Sequence, residues 1–412
     1  MTADAPAVRH RPKDRKQQIL VHARDLFLEL GYPGVSMAMI ADRVGITAGA
    51  LYRHYATKAE LLEAVVRDAF SGAVPAAGGL SLEELIDREI AAVAGRPHMA
   101  DLWSREARYL PGEMRREIRA VMRQAAQSYV APLRAHRAGL TAEQAELIAW
   151  SIQSVLSCLG RDSVRLPAGN GQALVRGAAR ALPDLPLPDL PLPDLPPENL
   201  SPGNLPPEDR PRDGGGARPR RAAGLAPAST RERLLIAARR QFAAAGYQES
   251  SMASIGAEAD VTGQNLYGYF DSKVALLRAV LTRGTHALWL DLDAALETAP
   301  DPAAALPLVV AGYVRVSGDW AELRLDLVGD PGLAEEFKGA QREYIAEWVA
   351  LLRAVRPALA PAEARALVQT ALTVLNDLRR TPHLARQPGF ATWRTAIAQA
   401  ILASKPEPAR KP

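Results

Sequence analysis

The segment from Ile19 to Val66 recurs without a gap from Leu234 to Leu281, and this duplication restricts the chain to folds that can be built twice in succession. Phe27 matches Phe242, Gly31-Tyr32 matches Gly246-Tyr247, and Ser36-Met37 matches Ser251-Met252. The register continues through Ile40 and Ile255, Thr47 and Thr262, Leu51-Tyr52 and Leu266-Tyr267, Lys58 and Lys273, and Leu61-Leu62 and Leu276-Leu277. Between the copies, Pro183 to Ser229 is dense in proline, which removes amide donors and blocks both helix and sheet. A polyproline-like linker is expected there, at about 3.1 Å per residue where extended. The resulting partition is a head over 1–70, a body over 71–182, the linker over 183–229, a second head over 230–285 and a second body over 286–404.

With 412 residues the chain exceeds one ordinary core. Aromatics make up 5% of it and β-branched runs bounded by turn residues are scarce, so the expected fold class is all-α. Fifty Lys plus Arg against forty-six Asp plus Glu leave a net charge of +4, too little to identify a partner from bulk charge. Cys158 is the single cysteine and cannot form an intrachain disulfide, and Met1 to Arg15 lacks an apolar signal-peptide core. A cytoplasmic location is expected. The longest apolar stretch, Leu147 to Leu159, falls short of the roughly 20 residues that cross a bilayer.

In the first copy Ile19, Leu20, Ala23, Leu26, Phe27 and Leu30 recur at helical spacing, and Gly31 is placed to close that helix in a left-handed conformation. Ser36 can cap a second helix with Met37, Ile40, Ala41 and Val44 inward, ended by Gly45. Thr47 can cap a short third helix, Ala48 to His54, whose Leu51 and Tyr55 point to the core. Thr57 and Glu60 form a candidate capping box for a fourth helix. Two short helices crossing through a tight turn, with small residues on the second, suit a major groove about 12 Å wide.

On this reading Ser36, Thr47, Tyr52 and Lys58 contact phosphates, Gly49, Ala50, Arg53 and His54 lie nearer to base edges, and Ala48 completes the DNA-binding set. Their counterparts in the second copy are Ser251, Thr262, Gly263, Gln264, Asn265, Tyr267, Tyr269 and Lys273, with Gln264 and Asn265 able to pair with adenine. Basic arms precede both motifs: Arg9, Arg11, Lys13, Arg15 and Lys16 before the first, and Arg212, Arg218, Arg220 and Arg221 before the second. They suit phosphate or minor-groove contact.

The combined pattern GY-x-x-x-SM-x-x-I, followed by T-x-x-x-LY-x-x-[YF]-x-[ST]K-x-x-LL, resembles the DNA-binding domain of the TetR family, over about fifty residues in each half. The resemblance implies a three-helix head joined through the fourth helix to an all-α body that dimerises and holds a small effector. It also implies transcriptional regulation, with binding in the body altering head spacing and releasing the operator. The second copy departs from the pattern: Gly268 and Tyr269 replace Arg53 and His54, and Asp260 replaces Gly45. Different half-sites are therefore expected, with a weaker second grip.

Beyond the heads, the stretch from Asp101 has a counterpart from Asp319, so the duplication extends to whole units. The bodies resemble regulators of lipid and fatty-acid metabolism, and the two-unit arrangement is similar to tandem TetR repressors of lipid-transport operons. This implies a fatty-acyl or sterol-like effector. Candidate contacts are Trp103, Arg105, Arg108, Tyr109, Trp150 and Gln153 in the first unit and Trp320, Arg324, Tyr344, Trp348 and Asn376 in the second. One chain can supply both heads as an intrachain pseudo-dimer on double-stranded DNA, and two chains with four heads is the competing assembly. A DNA-binding scaffold without a ligand pocket is the competing function. No phosphate loop, nucleophile elbow or HExxH or CxxC signature is present, and no second His or Cys lies at a metal-ligand interval from His54; neither an enzyme nor a metal or other cofactor is expected.

Overall fold

A computed structural model describes residues 12–71, 79–96, 98–187, 227–317 and 330–408. Most of the Pro-rich linker and its basic arm, with Arg9, Arg11, Trp320 and Arg324, lies outside the described residues. All regular structure among the described residues is helical, and no helix there is long and apolar enough to cross a membrane.

The chain divides into two compact units. The first takes residues 1–149 and 156–163, and the second takes 150–155 and 164–412. Helices of the first repeat are α1 (Pro12–Gly34), α2 (Met37–Val44), α3 (Ala48–His54), α4 (Lys58–Phe70), α5 (Leu82–Ala94), α6 (Met99–Glu106), α7 (Gly112–His136), α8 (Ala142–Ser157) and α9 (Gly171–Arg180). Those of the second are α10 (Thr230–Ala245), α11 (Met252–Glu258), α12 (Gly263–Tyr267), α13 (Lys273–Thr298), α14 (Pro302–Val316), α15 (Pro331–Val355), α16 (Pro361–Arg379) and α17 (Phe390–Ala403).

Within the first unit, α1, α2, α3 and α4 enclose Ile19, Ala23, Phe27, Ile40, Leu51 and Leu61, all essentially without solvent contact. The same core continues into α6 and α7 through Leu102, Met114 and Ile118, so this head is packed on its body. Burial of this many aliphatic side chains, at about 1.5–3 kcal/mol each, is what makes helices of seven or eight residues persist. The second head repeats the core with Leu234, Ala238, Phe242, Ile255, Leu266 and Leu276, and rests on Leu333 and Phe337 of α15. Its fourth helix does not stop at a head boundary, since α13 runs unbroken from Lys273 to Thr298.

In the second unit α9 packs against α16 and α17. The extended C-terminal segment crosses α9 closely enough that a Cβ on Gly177 would collide with the Lys405 carbonyl. The Glu407 amide donates to the Ala173 carbonyl at 2.8 Å, and the Glu407 carboxylate pairs with Arg180.

Local details depart from simple periodicity. Leu30 is 48% exposed despite completing the apolar stripe of α1. Gly31 breaks that helix at φ 70, ψ 157, an extended conformation with positive φ that only glycine enters readily, and not the left-handed helical closure expected. Gly246 repeats the geometry at φ 86, ψ 162. The turn after the second helix is left-handed in both heads, carried by Gly45 at φ 73 and by Asp260 at φ 56. An L side chain in that region costs about 1 kcal/mol, and Asp tolerates it better than most residues.

Two stability measurements follow from these backbone angles. Gly31→Ala should destabilise the first head by about 1–3 kcal/mol, because no unstrained alternative exists at that φ and ψ. The reciprocal exchange at the turn should move the heads in opposite directions: Asp260→Gly stabilises the second and Gly45→Asp destabilises the first, each by about 1 kcal/mol. Denaturant unfolding of the full chain checks both; a silent Gly31→Ala would mean that the backbone there relaxes freely.

Candidate nucleic-acid interface

Each helix-turn-helix is closed by short local bonds that its sequence supplies. Ser36 accepts from the Met39 amide at 3.2 Å and Thr47 from the Ala50 amide at 3.2 Å. Ser251 and Ser254 exchange bonds at the start of α11, whereas Thr262 makes no side-chain cap. Thr57 caps α4 through the Glu60 amide at 3.0 Å. The Glu60 carboxylate reaches back to the Ala56 amide at 2.8 Å, one residue before the position a capping box requires.

With Leu51 and Tyr55 buried, α3 turns Ala48, Gly49, Tyr52, Arg53 and His54 to solvent, and Ala50 is half-buried. Tyr52 is 52% exposed, and nothing lies within 4 Å of where a Cβ on Gly49 would stand. The surface is therefore slim at its N-terminal end and carries an aromatic hydroxyl, a guanidinium and an imidazole further along. In the second head Asn265, Tyr267, Gly268 and Tyr269 are exposed, with Leu266 and Phe270 inward. The helix there spans Gly263 to Tyr267, shorter than the Thr262–Tyr269 segment its counterpart predicts. The side chains of Gly263 and Gln264 lie outside the described residues.

The lysines have a different geometry from the one expected of solvated phosphate contacts. Lys58 Nζ donates to the Tyr32 carbonyl at 2.7 Å and the Val35 carbonyl at 2.8 Å, and lies 4.2 Å from the centroid of the Tyr32 ring. Lys273 donates to Tyr247 at 2.8 Å and Ser250 at 2.9 Å, 4.3 Å from the Tyr247 ring. Desolvation lowers the pKa of both ammonium groups. Each lysine thus pulls the loop between the first two helices onto the fourth. In the first head the loop is held from its other side as well, because the Tyr32 amide donates to Glu106 Oε2 at 3.2 Å. Periodicity marks faces and not inward-turned carbonyls, so this clamp had no signal beyond the repeated Tyr and Lys.

Residues assigned to a basic arm are partly built into the heads. Lys13, Arg15 and Lys16 belong to α1; Arg15 Nη1 donates to the Val44 carbonyl at 3.4 Å and Lys16 sits 5.8 Å from the Tyr55 ring. The second head uses Arg233 on the Ala259 carbonyl at 3.2 Å and Arg231 5.3 Å from the Phe270 ring. Gln17 approaches Asp68 at 3.4 Å, and at the matching positions Glu232 pairs with Arg283.

Among the candidate effector contacts, Trp103 meets Phe70 edge-on at 6.0 Å and Tyr109 stacks on Tyr32 at 4.9 Å, both against the core of the first head. Arg105 and Arg108 are half-buried nearby, and the Arg108 carbonyl accepts from Arg115. In the second unit Trp150 faces His383 at 5.8 Å, and the buried Tyr344, Trp348 and Tyr313 form one aromatic cluster with the half-buried Trp289. Asn376 accepts from the Tyr313 hydroxyl at 3.1 Å. Gln153 is half-buried on α8. Two groups in the first body carried no sequence signal: Tyr129 is fully buried with no hydrogen-bond partner for its hydroxyl, and burial raises the pKa of Glu89 beside it.

Replacing Lys58 or Lys273 with methionine keeps the stem and removes the donors. The head concerned should lose about 1.5–3 kcal/mol in urea unfolding, the scale of hydrogen bonds to a charged group. Retained stability with a lower salt dependence of DNA binding would instead assign the ammonium to phosphate.

Comparison with known proteins places residues 19–65 and 234–280 in the family of bacterial regulatory proteins, tetR family. The HTH-type transcriptional activator FasR of Mycolicibacterium smegmatis is 40% identical over 57 residues, covering 14% of this chain and 26% of that protein. The HTH-type transcriptional repressor KstR2 of the same organism is 34% identical over 64 residues, covering 16% of this chain and 31% of that protein. The chain therefore spans less than a third of the length of either relative. A TetR-family transcriptional regulator from Bordetella parapertussis 12822 aligns at 22% identity and a TM-score of 0.36, covering 42% of this chain and 93% of that one. Residues 19–65 and 234–280 each form a helix-turn-helix head of the TetR family, two in tandem along one chain.

Proposed function

We propose that the protein is a sequence-specific DNA-binding transcription regulator whose two heads read unlike half-sites, and that it is a repressor released by a small, mostly apolar effector. The observation that carries the DNA reading is the pair of short helices with core-anchored leucines and outward tyrosines: Tyr52, Tyr267 and Tyr269 are 52%, 55% and 46% exposed. Exposed tyrosine hydroxyls suit phosphate oxygens, and Arg53 suits guanine O6 and N7. Arg53 and His54 in one head against Gly268 and Tyr269 in the other support an asymmetric operator. One chain then supplies the two groove contacts that spacing of about 34–36 Å requires.

The effector reading rests on polar groups kept inside the bodies at a cost. The Tyr129 hydroxyl and Glu89 in the first, and the Tyr313–Asn376 bond within the aromatic cluster of the second, are the kind of sparse polar points that orient an apolar ligand. A ligand shifts the heads only through different affinities for the DNA-bound and released shapes. FasR is named an activator and KstR2 a repressor, so family membership leaves both signs of regulation open and repression is part of the proposal.

Selection of bound duplexes followed by footprinting supplies the operator. On it, Tyr52→Phe with Arg53→Ala should weaken binding about tenfold or more, while Asn265→Ala with Tyr267→Phe weakens it less. Equal losses remove the asymmetry, and no duplex binding at low salt removes the function. Native mass measurement on the shortest sufficient operator should give one chain. For Glu89, a folded-state pKa above the unfolded value makes ionisation on raising pH destabilising. Glu89→Gln should therefore melt higher than the wild type near pH 7, with the gap closing towards pH 4.

A further inference from the structure

We propose that His98, Asp101 and Asp162 form a divalent-cation site at the start of α6. One ligand atom from each lies within 4.8 Å of the others, although Asp162 comes from the segment after α8, far along the chain. His98 Nδ1 stands 3.6 Å from Asp162 Oδ1. That is too long for a hydrogen bond and close to the edge of about 3.4 Å between ligands bound to one Zn²⁺ at about 2.0–2.2 Å. The same Nδ1 is shielded from solvent and has no hydrogen-bond partner.

Both segments are held before any cation arrives. The His98 amide donates to the Gly160 carbonyl at 3.0 Å, and His98 adopts φ 72, which a side chain other than glycine seldom does. Asp101 is 8% exposed, and its Oδ2 accepts from the Asp162 amide at 2.8 Å, a bond of the kind that orients a ligating carboxylate. Asp162 is 70% exposed at its side chain, so the site opens to solvent and leaves room for water as a fourth ligand. One imidazole with two carboxylates matches a first-row divalent ion such as Zn²⁺ better than Mg²⁺ or Ca²⁺, which take oxygen alone. The inference stands independently of DNA binding, although α6 also carries Glu106, the acceptor for the Tyr32 amide of the head.

The test uses the full chain, stripped with chelator and titrated with ZnCl₂ by calorimetry and with CoCl₂ by visible absorption. His98→Asn retains a residue tolerant of positive φ, and Asp162→Asn changes an exposed side chain, so both should fold with wild-type melting temperatures without metal. The wild type should bind Zn²⁺ saturably at this site, and each variant should lose at least about tenfold in affinity together with the Co²⁺ band. Absence of saturable Zn²⁺ binding, or wild-type affinity in both variants, overturns the proposal.

Discussion

An ammonium group drawn off the surface and onto two loop carbonyls is the contact on which each head depends. Helices of five to eight residues have too few internal bonds to persist alone, and the loop that joins the first two leaves its carbonyls turned inward. Lys58 and Lys273 meet those carbonyls from the first turn of the fourth helix, over a tyrosine ring that screens the charge. Glycine at Gly31 and Gly246 is what turns the chain so that the carbonyls can be reached. The order of causes runs from a backbone angle, through a buried cation, to two slim helices held where a groove can receive them.

Much of this was legible beforehand because it is local. A hydroxyl residue before an apolar repeat marks a cap, and Ser36, Thr47 and Ser251 cap the helices they precede. The inward faces of α2 and α3 follow from three- and four-residue spacing. What spacing could not carry was any contact whose partners are distant in the chain. Tyr32 with Glu106 is separated by 74 residues, and His98 meets Asp162 across three intervening α-helices. Leu30 misled for a related reason, since the helix ends beside it and its apolar side chain points past the core. Residue type alone does not separate an aromatic packed on a head, such as Trp103, from one sealed in a body, such as Tyr129.

The two heads share a scaffold and differ in how firmly it is finished. The first has a glycine in its left-handed turn and a side-chain cap on its third helix; the second has Asp260 in that turn and no cap at Thr262. Local stability of the two third-helix surfaces therefore differs as well as their chemistry, and the surface of the second head is the less constrained.

The pair linking the first and fourth helices has opposite polarity in the two copies: Gln17 with Asp68 in one, Glu232 with Arg283 in the other. A nascent polypeptide containing two near-copies of one motif risks exchanging helices between them. Were α10 to settle on α4, two carboxylates would confront each other across the seam. Divergence at these two positions thus disfavours seating α10 on the first head during folding.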